Sequence, residues 1–118
     1  MNVFAKFFGG KAKQSLPEQA VIVYLDAQSL PDAVYEEHDL STLEEQLEQA
    51  LNATRAGSFD GNEFGPGVVT LYMYGPDAER LFRVVETPLR AYPLCAGAKV
   101  VVRRGGPGSP ERMLVLGP

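Results

Sequence analysis

Cysteine and histidine occur once each in the 118-residue chain, as Cys95 and His38, and that scarcity removes whole classes of chemistry. A lone cysteine closes no intrachain disulfide and begins no zinc-ligand spacing, so a reducing, cytoplasmic setting is the simplest expectation. Any Ser-His-Asp or Cys-His arrangement has to be built around His38, and no serine or cysteine carries a recognisable nucleophile motif. Long apolar runs are missing as well: nothing approaches the roughly 20 residues that a membrane-spanning helix needs. Residues 1–10 contain Val3, Phe4, Phe7 and Phe8 without the pattern of a secretory signal. Positive charge is in the minority. The formal net charge of -4 opposes bulk attraction to phosphate backbones or anionic lipid, so neither nucleic acid nor membrane is an expected partner.

What is present describes an ordinary folded domain. With 45% apolar and 22% charged residues the chain lies far from the polar balance that keeps segments disordered. Residues 9–18, GGKAKQSLPE, have no periodicity, which predicts a flexible segment over residues 1–18 and a single α+β domain over 19–118. Acid gathers at Asp32, Glu36, Glu37, Asp39, Glu44, Glu45 and Glu48. Base gathers later, at Lys99, Arg103, Arg104 and Arg112.

Two runs, AVIVYLDA over 20–27 and VVTLYMY over 68–74, are too short for typical helices and too apolar for exposed strands, so both read as central strands. Leu40, Leu43, Leu47, Ala50, Leu51 and Thr54 recur at helical spacing over 39–56. Ser41 and Glu44 match a capping box at its start, and Gly57 suits its end. Asp60-Gly61 permits a tight reversal, or else 58–64 is an irregular edge strand. Ala78, Leu81, Phe82, Val85 and Leu89 mark a second helix that Pro88 is expected to interrupt and that ends before Pro93. Strands over 99–104 and 112–116 follow, joined by a glycine- and proline-rich loop. The resulting order resembles the ferredoxin-like βαββαβ sandwich with one added C-terminal strand. That resemblance implies a mainly antiparallel sheet with both helices on one face.

Strand alternation then separates two faces. Val21, Val23 and Leu25 share one side with Val69, Leu71 and Met73, while Tyr24, Tyr72 and Tyr74 fall on the side no helix covers. Tyrosine buries area while keeping a polar tip, so this face is the candidate interaction surface, either for a second copy in a homodimer or for another protein. The N-terminal phenylalanines Phe4, Phe7 and Phe8 are the alternative cover for it. The function expected is a non-enzymatic interaction or regulatory module, without a cofactor. The competing expectation is a small enzyme or a metal- or ligand-binding domain using Asp60 and Glu63, with Asp26 adding a carboxylate at a strand end. DGNEFGPG does not follow the twelve-residue calcium-loop pattern, and His38, amid Glu36, Glu37 and Asp39, reads as a loop residue ahead of a helix. Cys95, in an apolar setting, reads as a packing residue.

Overall fold

A computed structural model describes residues 18–117 of the chain and places its most apolar run at the centre of a five-stranded sheet. That run becomes β1 (Gln19–Asp26), which pairs on one side with β3 (Val68–Gly75) and on the other with β4 (Lys99–Arg103). The edges are β2 (Ser58–Gly65), against β3, and β5 (Glu111–Val115), against β4. Every neighbouring pair is antiparallel, in the order β2-β3-β1-β4-β5. Among the described residues three helices complete an α+β fold: α1 (Asp32–Glu37), α2 (Leu40–Thr54) and α3 (Ala78–Ala91), the last followed by a short 3-10 turn over Pro93–Cys95. The loose segment expected over 1–18 lies, except for Glu18, outside the described residues, as do Phe4, Phe7 and Phe8.

The core forms on one side of the sheet. Leu43, Leu47 and Leu51 of α2 and Leu81, Val85 and Leu89 of α3 are fully buried against Val21, Val23, Leu71, Met73 and Val100. Each such side chain contributes on the order of 1.5–3 kcal/mol by leaving water, which makes this stripe the principal reason the helices lie where they do. Cys95 packs into the same core. Burial without a polar partner pushes its thiol up to about 12, which suits a packing residue.

Helix boundaries depart from the sequence pattern in ways that have local causes. The chain between 28 and 38, for which no element was expected, forms α1, which buries no residue of its own. It is held by Tyr35, whose hydroxyl donates to the Asp26 carbonyl (3.0 Å) and accepts from the Leu30 N–H (3.0 Å). At the start of α2 the capping box does not form, because Asp39, not Ser41, precedes the first helical residue. Ser41 therefore sits inside the first turn and donates to the Asp39 carboxylate at 3.2 Å, while Glu44 accepts from the Asn62 amide instead. The Thr42 hydroxyl, with Ser41, holds the Asp39 carboxyl below its ordinary range. α2 ends two residues before Gly57, on Arg55 in the left-handed conformation (φ 56°, ψ 29°).

One further expectation is corrected, and one open alternative is resolved. α3 runs through Pro88 without a break. Proline removes the hydrogen bond that its own N–H would make, and its ring crowds the carbonyl one turn earlier. Here that loss falls in the last turn, while the Pro88 carbonyl still accepts from the Tyr92 N–H (3.2 Å) and Leu89 stays buried. At the other end the Asp77 carboxylate accepts the N–H groups of Glu79 and Arg80 (3.1 and 3.2 Å), a side-chain N-cap. The β2–β3 hairpin turns at Pro66-Gly67, where Gly67 has φ 72°, as the second central residue of a type II turn requires. Asp60-Gly61 is instead a bulge within β2, between Phe59 and Gly61, so the edge-strand alternative is the one the chain adopts.

A candidate interaction face on the uncovered side of the sheet

Antiparallel register turns the alternation of single strands into rows that cross the sheet. On the side away from the core, the pairings align Glu63, Thr70, Tyr24, Lys99 and Val115 in one row. The next row runs Gly61, Tyr72, Ile22, Val101 and Met113, and the third Ser58, Tyr74, Ala20, Arg103 and Glu111. Ala20, Ile22 and Val101, with Tyr72 and Tyr74 packed on them, form a second apolar cluster that, among the described residues, contains no helical one. The three tyrosines named from the sequence thus share one face, where Tyr24 is 37% exposed and Tyr72 and Tyr74 are half-buried. The Tyr72 hydroxyl donates to the Glu63 carboxylate at 2.7 Å, and this bond is the main cause of its raised pKa.

Sequence reasoning missed the β5 end of this face. Met113 and Val115 are 60% and 58% exposed, the most open large apolar side chains on it. Their alternation with Arg112 and Leu114 was visible in the chain. Their place beside Val101 and Lys99 was not, since it depends on a register that only the folded hairpin sets. A cleft of about 590 Å³ opens at the same end, lined by Tyr24, Asp26, Ser29, Lys99, Val101 and Met113 among others.

The acidic residues named from the sequence do not converge. Asp26 accepts the N–H groups of Gln28 (2.9 Å) and Ser29 (2.8 Å), which keep its carboxyl below the ordinary range and tie it into the loop after β1. Asp60 and Glu63 lie on β2 and line a shallow depression of about 390 Å³ with Tyr72 and Tyr74, which shares no lining residue with Asp26's cleft. Among the described residues no group of three or more His, Cys, Asp and Glu side chains could hold a metal ion. His38 ends α1, stands edge-on to Tyr92 with ring centres 5.6 Å apart, and borders a 310 Å³ apolar cleft with Asp26, Tyr35, Asp39 and Phe64.

The basic residues divide between faces. Lys99 and Arg103 belong to the uncovered face, whereas Arg112 crosses to the helix side and makes a two-pronged contact with Glu79 of α3 (2.8 and 2.9 Å). Arg104 lies 3.7 Å from the same carboxylate. Among the described residues no helix is long and apolar enough to cross a membrane.

No protein-family model, curated protein or solved structure matches the chain. Its geometry alone therefore has to carry the functional reading.

Proposed function

We propose that this chain is a non-enzymatic protein-interaction module, of ferredoxin-like arrangement with β5 as the added strand, that works in the cytoplasm and binds a second protein on its uncovered sheet face. The observation that carries this reading is the central row of Tyr72, Ile22, Val101 and Met113, an apolar stripe with hydrogen-bonding tips beside it. Such a surface suits a protein partner: aromatic rings supply area at little conformational cost, and Lys99, Arg103, Glu63 and Glu111 provide a polar rim. A mixed-charge sheet face of this kind favours a folded protein surface over a nucleic-acid backbone, which would need one sign of charge.

The ligand-site reading built on Asp60 and Glu63 has less behind it. Glu63 is engaged by the Tyr72 hydroxyl, and Asp26 is committed to its own turn.

Site-specific photo-crosslinking tests the proposal. A photoreactive phenylalanine analogue replacing Tyr24 in cells should yield a discrete protein adduct, and the adduct should be lost when Tyr72→Ser is added. The same analogue replacing Glu45, on the exposed side of α2, should yield none. Identical adducts from both positions, or none from Tyr24, would remove the uncovered face as the binding surface.

A further inference from the structure

The two edges of the sheet are not equivalent. β2 has the features that blunt an edge: a bulge after Phe59, Gly61 at φ 127°, a second glycine at its end, and the acidic pair Asp60 and Glu63. β5 has no bulge and no glycine, and its two charged residues, Glu111 and Arg112, stand together at one end. It keeps unbroken register with β4 from Glu111 to Val115, and among the described residues no strand pairs with its outer side.

The direction of its backbone groups follows from the ends of the hairpin. The Arg104 N–H donates to the Pro110 carbonyl (3.0 Å), and the Leu116 N–H donates to the Ala98 carbonyl (2.8 Å). In an antiparallel pair, bonding alternates residue by residue. Arg112 and Leu114 therefore spend their N–H and C=O groups on β4, while those of Glu111, Met113 and Val115 point outward. The residues with outward-pointing backbone are the same ones whose side chains lie on the uncovered face.

We propose that β5 is an interface between two copies of this chain, paired antiparallel about a two-fold axis at Met113 to make one ten-stranded sheet. In that register Met113 faces Met113 of the other copy, and Glu111 faces Val115 on either side, so every outward N–H and C=O of the three residues finds a partner. A two-fold axis normal to the sheet keeps both uncovered faces on the same side. The central row then runs without interruption from Ile22 through Val101 and Met113 into the same residues of the second copy.

Charge complementarity supports this register. Glu111 lies directly across from Arg103 of its own β4. In the pair, it lies next to Val115 of the other copy, beyond which stands Lys99, two strand spacings or about 10 Å away. Lysine and glutamate side chains span that gap above the valine, so each Glu111 sits between an arginine of its own copy and a lysine of the other. No like charges face each other across the seam on this side.

The pairing stands on the backbone of β5 and does not depend on the tyrosine face binding another protein, and one set of measurements separates the two. In analytical ultracentrifugation the full-length chain should sediment as a dimer. Met113→Lys and Met113→Glu should each be monomers, because like charges would meet at the axis. An equimolar mixture of the two should recover the dimer, since opposite charges then meet. Tyr72→Ser, away from the seam, should stay dimeric whether or not it loses a face-bound partner. Hydrogen exchange of the unaltered chain gives a readout that needs no variant: the amides of Met113 and Val115 should become protected as concentration rises. A monomer at every concentration, a dimeric Met113→Lys, or a mixture no more associated than its components would each overturn the proposal, as would exchange at Met113 that ignores concentration.

Discussion

Replacing Gly75 by alanine sets two effects of opposite sign against each other. Gly75 closes β3 beside the segment that leads from α2 into β2. A Cβ added there would fall on the Ala56 carbonyl oxygen and come within 3.3 Å of the Gly57 Cα. Its φ is not in the left-handed region, so the backbone itself accepts alanine, and restricting the unfolded chain would by itself stabilise by about 0.4–1 kcal/mol. Overpacking a tight site costs about 1–3 kcal/mol, and here the obstacle is main chain that cannot rotate aside. The contact wins, leaving a net loss of about 1–2 kcal/mol. For a domain of this size that corresponds to a fall in Tm of roughly 5–15 °C. Gly65→Ala is the matched control: its new Cβ meets only Val68, at ordinary distances of 3.4 Å to Cγ1 and 3.9 Å to the carbonyl oxygen, so its Tm should equal or exceed the parent's. Thermal unfolding followed by circular dichroism reads both. A Gly75→Ala protein melting at or above the parent temperature would refute the close-approach reasoning, and equal losses at the two glycines would show that contact is not what distinguishes them.

Two predictions concern pH. Burial raises the Cys95 thiol from 9.0 to about 12, so the unfolded chain ionises first; the stability this group supports is full below pH 9.0 and is lost as pH rises toward 12. Urea unfolding on either side of pH 9.0 should show the parent losing more stability than Cys95→Ala. Glu79 behaves in the opposite sense. Hydrogen bonding from Arg112 lowers its pKa from 4.5, so its contribution is present above that pH and lost as pH falls through the lower folded value. Because the paired side chains remain 30% and 48% exposed, the effect is under about 1 kcal/mol and salt-sensitive. Glu79→Gln should differ from the parent near neutrality and converge with it in acid.

The elements themselves were written in local chemistry. The β-branched run of β1, the leucine spacing of α2 and the apolar stripe of α3 each match a period that backbone geometry imposes. The division of Val21, Val23 and Leu25 from Tyr24 followed from strand alternation in the same way. Local pattern failed where a residue's role depends on a distant partner. α1 buries nothing, so no periodicity announces it; the Tyr35 hydroxyl holds it by bonding back to Asp26. Glu44 looked like half of a capping box but meets Asn62, eighteen residues on. The helix end expected at Gly57 moved to Arg55, and Gly57 serves where β3 passes close by.

The tyrosine face shows the same division. Sequence alone determined that Tyr24, Tyr72 and Tyr74 alternate away from the core residues of their own strands, because the side-chain period of a strand is two. Only the tertiary structure decided that β3, β1, β4 and β5 lie side by side, which puts those tyrosines with Val101, Met113 and Val115 and leaves β5 at an edge. Strand order and register arise from long-range pairing between residues up to 83 apart in the chain, as Ala20 and Arg103 are, and no local period encodes them.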